Sequence, residues 1–149
     1  MLKTIPQTFE YPDGMQGTIK MHVFPFPPEV ASRGCDIFPL ELEEDETVFF
    51  HATPAENLEK IFIEGLRPDP QNTSGLKSVT YTYRSNVALI HITNRNKYKP
   101  KDHCILVYKF DDYAMKRLIK NTTDVHDYAI NPRPTLIGYC IVPYTYQHQ

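Results

Sequence analysis

His51 is the side chain best placed to do chemistry in this chain. It follows an apolar run, Val48-Phe49-Phe50, that reads as a strand. Just beyond it, Thr53 as N-cap, Pro54 at the first helical position and Glu56 three residues after the cap spell out a capping box. Leu58, Ile61 and Phe62 recur at helical spacing, and Gly65 stops the helix. The pattern predicts a titratable imidazole at a rigid strand-to-helix junction, a place where helix N-termini favour anionic ligands. A second His-x-Thr tripeptide, His91-Ile92-Thr93, repeats the type of His51-Ala52-Thr53. Asp127 offers a carboxylate on a later strand, and Arg84, Arg95 and Arg133 offer cations. Cys35, Cys104 and Cys140 are odd in number and widely spaced, with no CxxC or His/Cys cluster at zinc spacing. Metal chemistry is therefore not indicated, and the cysteines point to a reducing compartment rather than a disulfide framework.

The elements that must position these residues are short. The 149 residues suit one domain with a single sizeable core. Thirteen prolines and ten tyrosines, with no tryptophan, favour strands and loops over a helical bundle. A formal charge of −2 gives no support for a protein wrapped in nucleic acid. No signal-peptide core or membrane-length apolar run is present, so a cytoplasmic location is expected. Residues 1–46 read as a proline-punctuated extension packed on a domain over 47–149. A strand over 19–26 lies in that extension, and its acids Glu41, Glu43, Glu44, Asp45 and Glu46 are expected to face water. Beyond a loop over 67–77, residues 78–83 alternate as a strand, with Val79, Tyr81 and Tyr83 on one face and Thr80 and Thr82 on the other. Ser85 or Asn86 caps a short helix through Ile90, and 94–102 reads as a basic loop. Residues 104–110 make the best buried strand, Asp111 or Asp112 caps a helix ending near Lys120, and strands over 126–130 and 136–144 close the chain. Strands and short helices in this order predict an α+β fold with a mostly antiparallel sheet.

That order, with the histidine first, resembles the ADP-ribosyltransferase fold in its diphtheria-toxin and poly(ADP-ribose) polymerase branch, known by a histidine, a tyrosine and a glutamate on three strands. His51-Ala52-Thr53, followed by Glu56-Asn57-Leu58 and Glu64-Gly65-Leu66, resembles the family's His-Gly-Thr/Ser motif and the helix after it. The resemblance implies that His51 bonds a ribose hydroxyl of NAD and that the backbone at Ala52 holds the nicotinamide amide, with Thr53 beside them. Ala52 replaces the family glycine. Val79-Thr80-Tyr81-Thr82-Tyr83-Arg84 resembles the second motif, with Thr80 at the family tyrosine in the ungapped alignment. Tyr81 or Tyr83 would stack on nicotinamide after a shift of register, Arg84 would meet the NAD phosphates, and His91 lies near a second stacking position. His126-Asp127-Tyr128-Ala129-Ile130 resembles the third motif, and Asp127 takes the catalytic glutamate position.

The implied chemistry is cleavage of the nicotinamide glycosidic bond through an oxocarbenium-like state, with His51 and Asp127 as the catalytic pair and NAD as co-substrate. Asp127 is one methylene shorter than glutamate, which removes roughly an ångström and a half of reach. The expected function is NAD-dependent mono-ADP-ribosyl transfer to a protein or nucleic-acid acceptor, as in a toxin, effector or phage-type modifier, with no membrane partner. Two alternatives stand beside it. One is a binding module that keeps the fold without catalysis. The other is a two-histidine phosphoesterase using His51 and His91, which requires both histidines on strands.

Overall fold

A computed structural model describes residues 5–10, 14–67, 78–129 and 132–146. Its strands are β1 (Ile5–Glu10), β2 (Gln16–Phe24), β3 (Val48–Pro54), β4 (Val79–Thr82), β5 (His103–Lys109), β6 (Ile119–Lys120), β7 (Asp124–Asp127) and β8 (Thr135–Val142). Five helices interrupt them: α1 (Pro28–Ser32), α2 (Leu40–Glu43), α3 (Leu58–Glu64), α4 (Ser85–Asn96) and α5 (Asp112–Lys116). Strands β2 to β8 form one sheet, onto which β1 hairpins through β2, giving the order β1-β2-β8-β5-β3-β4-β7-β6. Every neighbouring pair is antiparallel except β2–β8. The fold is α+β with a mostly antiparallel sheet and short helices.

Alternation along the central strands sends side chains to two cores. Val48, Phe50, Ile105, Val107, Cys140 and Val142 meet α4 through Ala88, Leu89 and Ile92. Phe49, Leu106, Tyr108, Tyr81 and Val125 meet α3 and α5 through Ile61 and Ala114. Strand β5 is buried at six consecutive positions because both of its faces are covered. Cys104 and Cys140 belong to opposite faces of adjacent strands and stay as free thiols, which burial pushes up to about 12.

The N-terminal 46 residues do more than pack on a domain. Strand β2 continues the sheet beyond β8, where His22 lies opposite Gly138. A Cβ at Gly138 would approach the His22 carbonyl oxygen to 2.5 Å, so this contact demands glycine. Phe38 stacks on Phe50 with ring centroids 5.2 Å apart. Glu43, expected in solvent, is buried and accepts from the Phe38 and Ser85 amides at 3.2 and 3.1 Å and from the Ser85 hydroxyl. Asp36 accepts from the Asn86 amide at 3.1 Å. Two carboxylates from the N-terminal segment thus satisfy the first amides of α4. That helix runs on to Asn96, through the start of the expected 94–102 loop.

Two other expected helices change shape. Helix α5 starts where foreseen, with Asp111 accepting from the Ala114 amide at 2.8 Å, but ends at Lys116 because 119–120 joins the sheet as β6. The capping box at Thr53 does not form. Strand β3 runs three residues past His51 to Pro54, and a 3₁₀ turn over Ala55–Asn57 precedes α3. The cause is tertiary: all seven β3 residues pair with β5, and the Ala55 amide bonds the Asp102 carbonyl at 3.0 Å. Thr53 is buried and its hydroxyl accepts from the Asn57 amide group at 3.1 Å, while Glu56 pairs with Lys101 at 2.8 Å. The C-terminal half of the pattern holds, with Gly65 closing α3 at φ 77°.

Candidate functional site

His51 is a mid-strand residue where the β3–β4 ladder is interrupted. Whereas β3 pairs with β5 along its whole length and β4 with β7 at four positions, β3 and β4 meet only at Phe50 and Thr82. Beyond that rung no ladder pair joins them, and the carbonyl of Thr80 is taken by His51 Nδ1 at 2.6 Å. A carbonyl can only accept, so Nδ1 carries the proton and Nε2 presents a lone pair. Burial pushes the His51 imidazolium down to about 4, against the opposing pull of the Thr80 carbonyl, and the charges of Arg95 and His91 on α4 lower it further. His51 is therefore a neutral hydrogen-bonding group at physiological pH. Its ring meets Tyr81 edge to face at 5.9 Å.

Strands β4 and β7 carry two different chemistries on their two faces. On the face shared with Thr82 lie Ser78, Thr80, Asp124 and His126, and Thr80 stands opposite His126 in the ladder. The Ser78 and Thr80 hydroxyls lie 2.9 and 3.3 Å from His126 Nδ1, and His126 Nε2 is 3.4 Å from Asp124 Oδ1. Asn121 also donates to Asp124 Oδ1, at 2.9 Å. Thr80 is exposed, and His126 and Asp124 are half-buried. Of Thr80 itself His51 meets only the backbone carbonyl, and its ring lies on the Tyr81 face, opposite the Thr80 hydroxyl and His126.

The opposite face holds Val79, Tyr81, Val125 and Asp127. Asp127 is 1% exposed, and Arg117, the C-cap just after α5, donates to both of its oxygens, from Nε at 3.0 Å and from a terminal nitrogen at 2.9 Å. The Ala129 amide adds a third bond at 3.1 Å. Tyr81 is equally buried, edge-on to Phe110 and Tyr108, and burial raises its phenol well above the usual value. A largely apolar cavity of about 130 Å³ opens on this face, with Tyr81, Tyr108, Asp127 and Arg133 among its lining. His51 does not line it.

Neither family models, nor curated proteins, nor solved structures match this chain.

Of the residues singled out by sequence, His51 and Thr80 come together, and the charge of His91 reaches His51 from α4. Ala52 adjoins His51 on β3 and packs against the α4 side of the core. Thr53 is occupied by Asn57, Arg84 pairs with Asp36 at 3.2 Å, and Tyr83 donates to the Asn121 carbonyl at 2.8 Å. His91 is exposed on a helix, so the two-strand placement required by the phosphoesterase reading is not met. Asp127 is held by Arg117 on the face of β7 away from Thr80 and His126. The Ser78–His126–Asp124 cluster escaped the sequence reading. Its one available signal is the alternation Asp124-Val125-His126-Asp127, which puts the first and third residues on one face and the second and fourth on the other. Among the described residues no group of three or more His, Cys, Asp or Glu side chains is arranged to hold a metal, and no helix is long and apolar enough to cross a membrane.

Proposed function

We propose that this protein is an NAD-dependent mono-ADP-ribosyltransferase of the diphtheria-toxin and poly(ADP-ribose) polymerase type, with NAD held beside His51, where the β3–β4 ladder is interrupted. One observation carries the reading. The three strands that bear the three motif resemblances, β3, β4 and β7, are consecutive in the sheet, and the β3–β4 ladder stops at His51 after a single rung. His51, neutral and anchored through Nδ1, offers Nε2 as the acceptor that a ribose hydroxyl needs. The exposed Arg95 supplies positive potential for the diphosphate from the end of α4. The acceptor is a protein or nucleic acid in the cytoplasm, either the cell's own or that of a host into which the protein is delivered.

A second reading, a module that binds NAD without turnover, is favoured by Asp127, whose two carboxylate oxygens are both engaged by Arg117. Calorimetric titration with NAD and an assay of nicotinamide release separate the two. On the transferase reading wild type binds NAD and releases nicotinamide, while His51→Ala loses about tenfold in affinity with the loss of one hydrogen bond. Binding without release supports the module. Wild type with no measurable NAD binding overturns both readings.

A further inference from the structure

We propose that the apolar cavity beside α3 binds a monocyclic aromatic carboxylate about the size of benzoate, with its ring in the cavity and its carboxylate on Arg133 at the mouth. The inference goes beyond the NAD reading and does not depend on it, since His51 does not line this cavity.

Packing provides the first argument. The cavity lies on the Tyr81 face of the sheet, with Ile61 and Phe62 of α3 on one side and Val79, Tyr81, Tyr108 and Leu136 of three strands on the other. Leu136 reaches that face through a bulge in β8. Val107 stands opposite Gly138 and Tyr108 opposite Leu136, so Ile137 has no rung of its own. Ile137 joins the α4 side of the core, and Leu136 turns to the cavity side. A volume of about 130 Å³ bounded by aliphatic and aromatic side chains is close to the roughly 150 Å³ of an engineered apolar cavity that stays dry and takes up benzene.

Charge provides the second. Among the described residues two charged side chains line the cavity, Asp127 and Arg133. Asp127 accepts from two nitrogens of Arg117, so its charge is already balanced. Arg133 has no hydrogen bond or ion pair among the described residues. Shape holds its guanidinium instead. It lies across Gly65, where a Cβ would come within 2.7 Å of Nε and 2.8 Å of Cζ, so the glycine that closes α3 also makes room for the cation. Its charge reaches the buried Tyr108 phenol, where it opposes the upward push of burial. The cavity thus has one positive charge in excess, on an exposed side chain, over an apolar interior. A monoanion balances that charge, and a carboxylate matches the planar guanidinium fork. A cationic ring would meet repulsion from Arg133 and a carboxylate already engaged by Arg117.

The test titrates the full chain with sodium benzoate, read by amide NMR shifts and calorimetry. Benzamide and acetate serve as probes that lack the charge and the ring. Benzoate should saturate below about 10 mM and shift the amides of Gly65, Val79, Tyr81 and Leu136, with benzamide and acetate each at least about tenfold weaker. Arg133→Gln, on an exposed side chain, keeps the fold and weakens benzoate about 10- to 100-fold while leaving benzamide within about threefold. If that variant does not fold, the three probes on wild type decide the matter. No saturable benzoate binding overturns the proposal. So does benzamide binding as tightly as benzoate, or a folded Arg133→Gln with unchanged benzoate affinity. Wild type that binds benzoate but no NAD keeps this site and overturns the NAD reading alone.

Discussion

At the scale of single residues, His51 is a structural fastener that leaves one polar atom free. Its Nδ1 closes the gap that the β3–β4 ladder leaves open, and its Nε2 remains for a ligand. That double duty carries a pH signature. In the fold the imidazolium is pushed down to about 4, whereas in the unfolded chain it titrates near 6.5. Between those values the unfolded state binds a proton that the folded state refuses, so stability falls as pH drops from 6.5 toward 4. The loss amounts to on the order of 2 to 3 kcal/mol. Burial lowers His103 in the same direction, so the His51 share is the difference between wild type and His51→Gln. Urea unfolding at pH 7 and pH 4.5 should show a shallower pH slope for the variant. Equal slopes would mean that His51 is protonated in the fold.

At the scale of elements, local signals yield to partners distant in sequence. The capping box at Thr53 is a sound local pattern, yet seven rungs to β5 extend β3 through it. Helix α4 shows the reverse dependence, because its first amides are satisfied by Glu43 and Asp36, some forty to fifty positions earlier in the chain. Glu43→Ala would orphan three buried donors at once, for a cost of about 3 kcal/mol. Glu44→Ala, one residue on and exposed, should change stability by less than about 0.5 kcal/mol. Thermal unfolding of the two variants makes the comparison, and similar losses would show that the cap contributes little.

At the scale of the whole molecule, the first 46 residues are part of the folding unit. They supply β2 to the edge of β8, Phe38 to the Phe50 ring, both α4 carboxylates and the Ala31 carbonyl to which Tyr146 donates at 2.8 Å. A chain beginning at Thr47 would expose the β8 edge and one face of the core at once. It should lose its cooperative unfolding transition and elute from size exclusion as aggregate. A monomeric shortened chain with a native near-ultraviolet spectrum would show that residues 1–46 are dispensable.

Periodicity alone determined much of this. The alternation of Val79, Tyr81 and Tyr83, the apolar run at 104–110, the helical spacing of Leu58, Ile61 and Phe62 and the stop at Gly65 each reflect the requirement that one face of a short element leave water. The α+β class follows from the order of those elements. What sequence left open is whatever depends on which strand lies beside which. Only the sheet order sets β4 beside β7, opposes Thr80 to His126, turns Asp127 to the other face and hands it to Arg117. Only the ladder of β3 with β5 makes His51 a mid-strand residue, and only the single rung between β3 and β4 frees the Thr80 carbonyl for its Nδ1. A residue's periodicity belongs to its neighbours in the chain, but its partners across a sheet are chosen by the packing of the whole core.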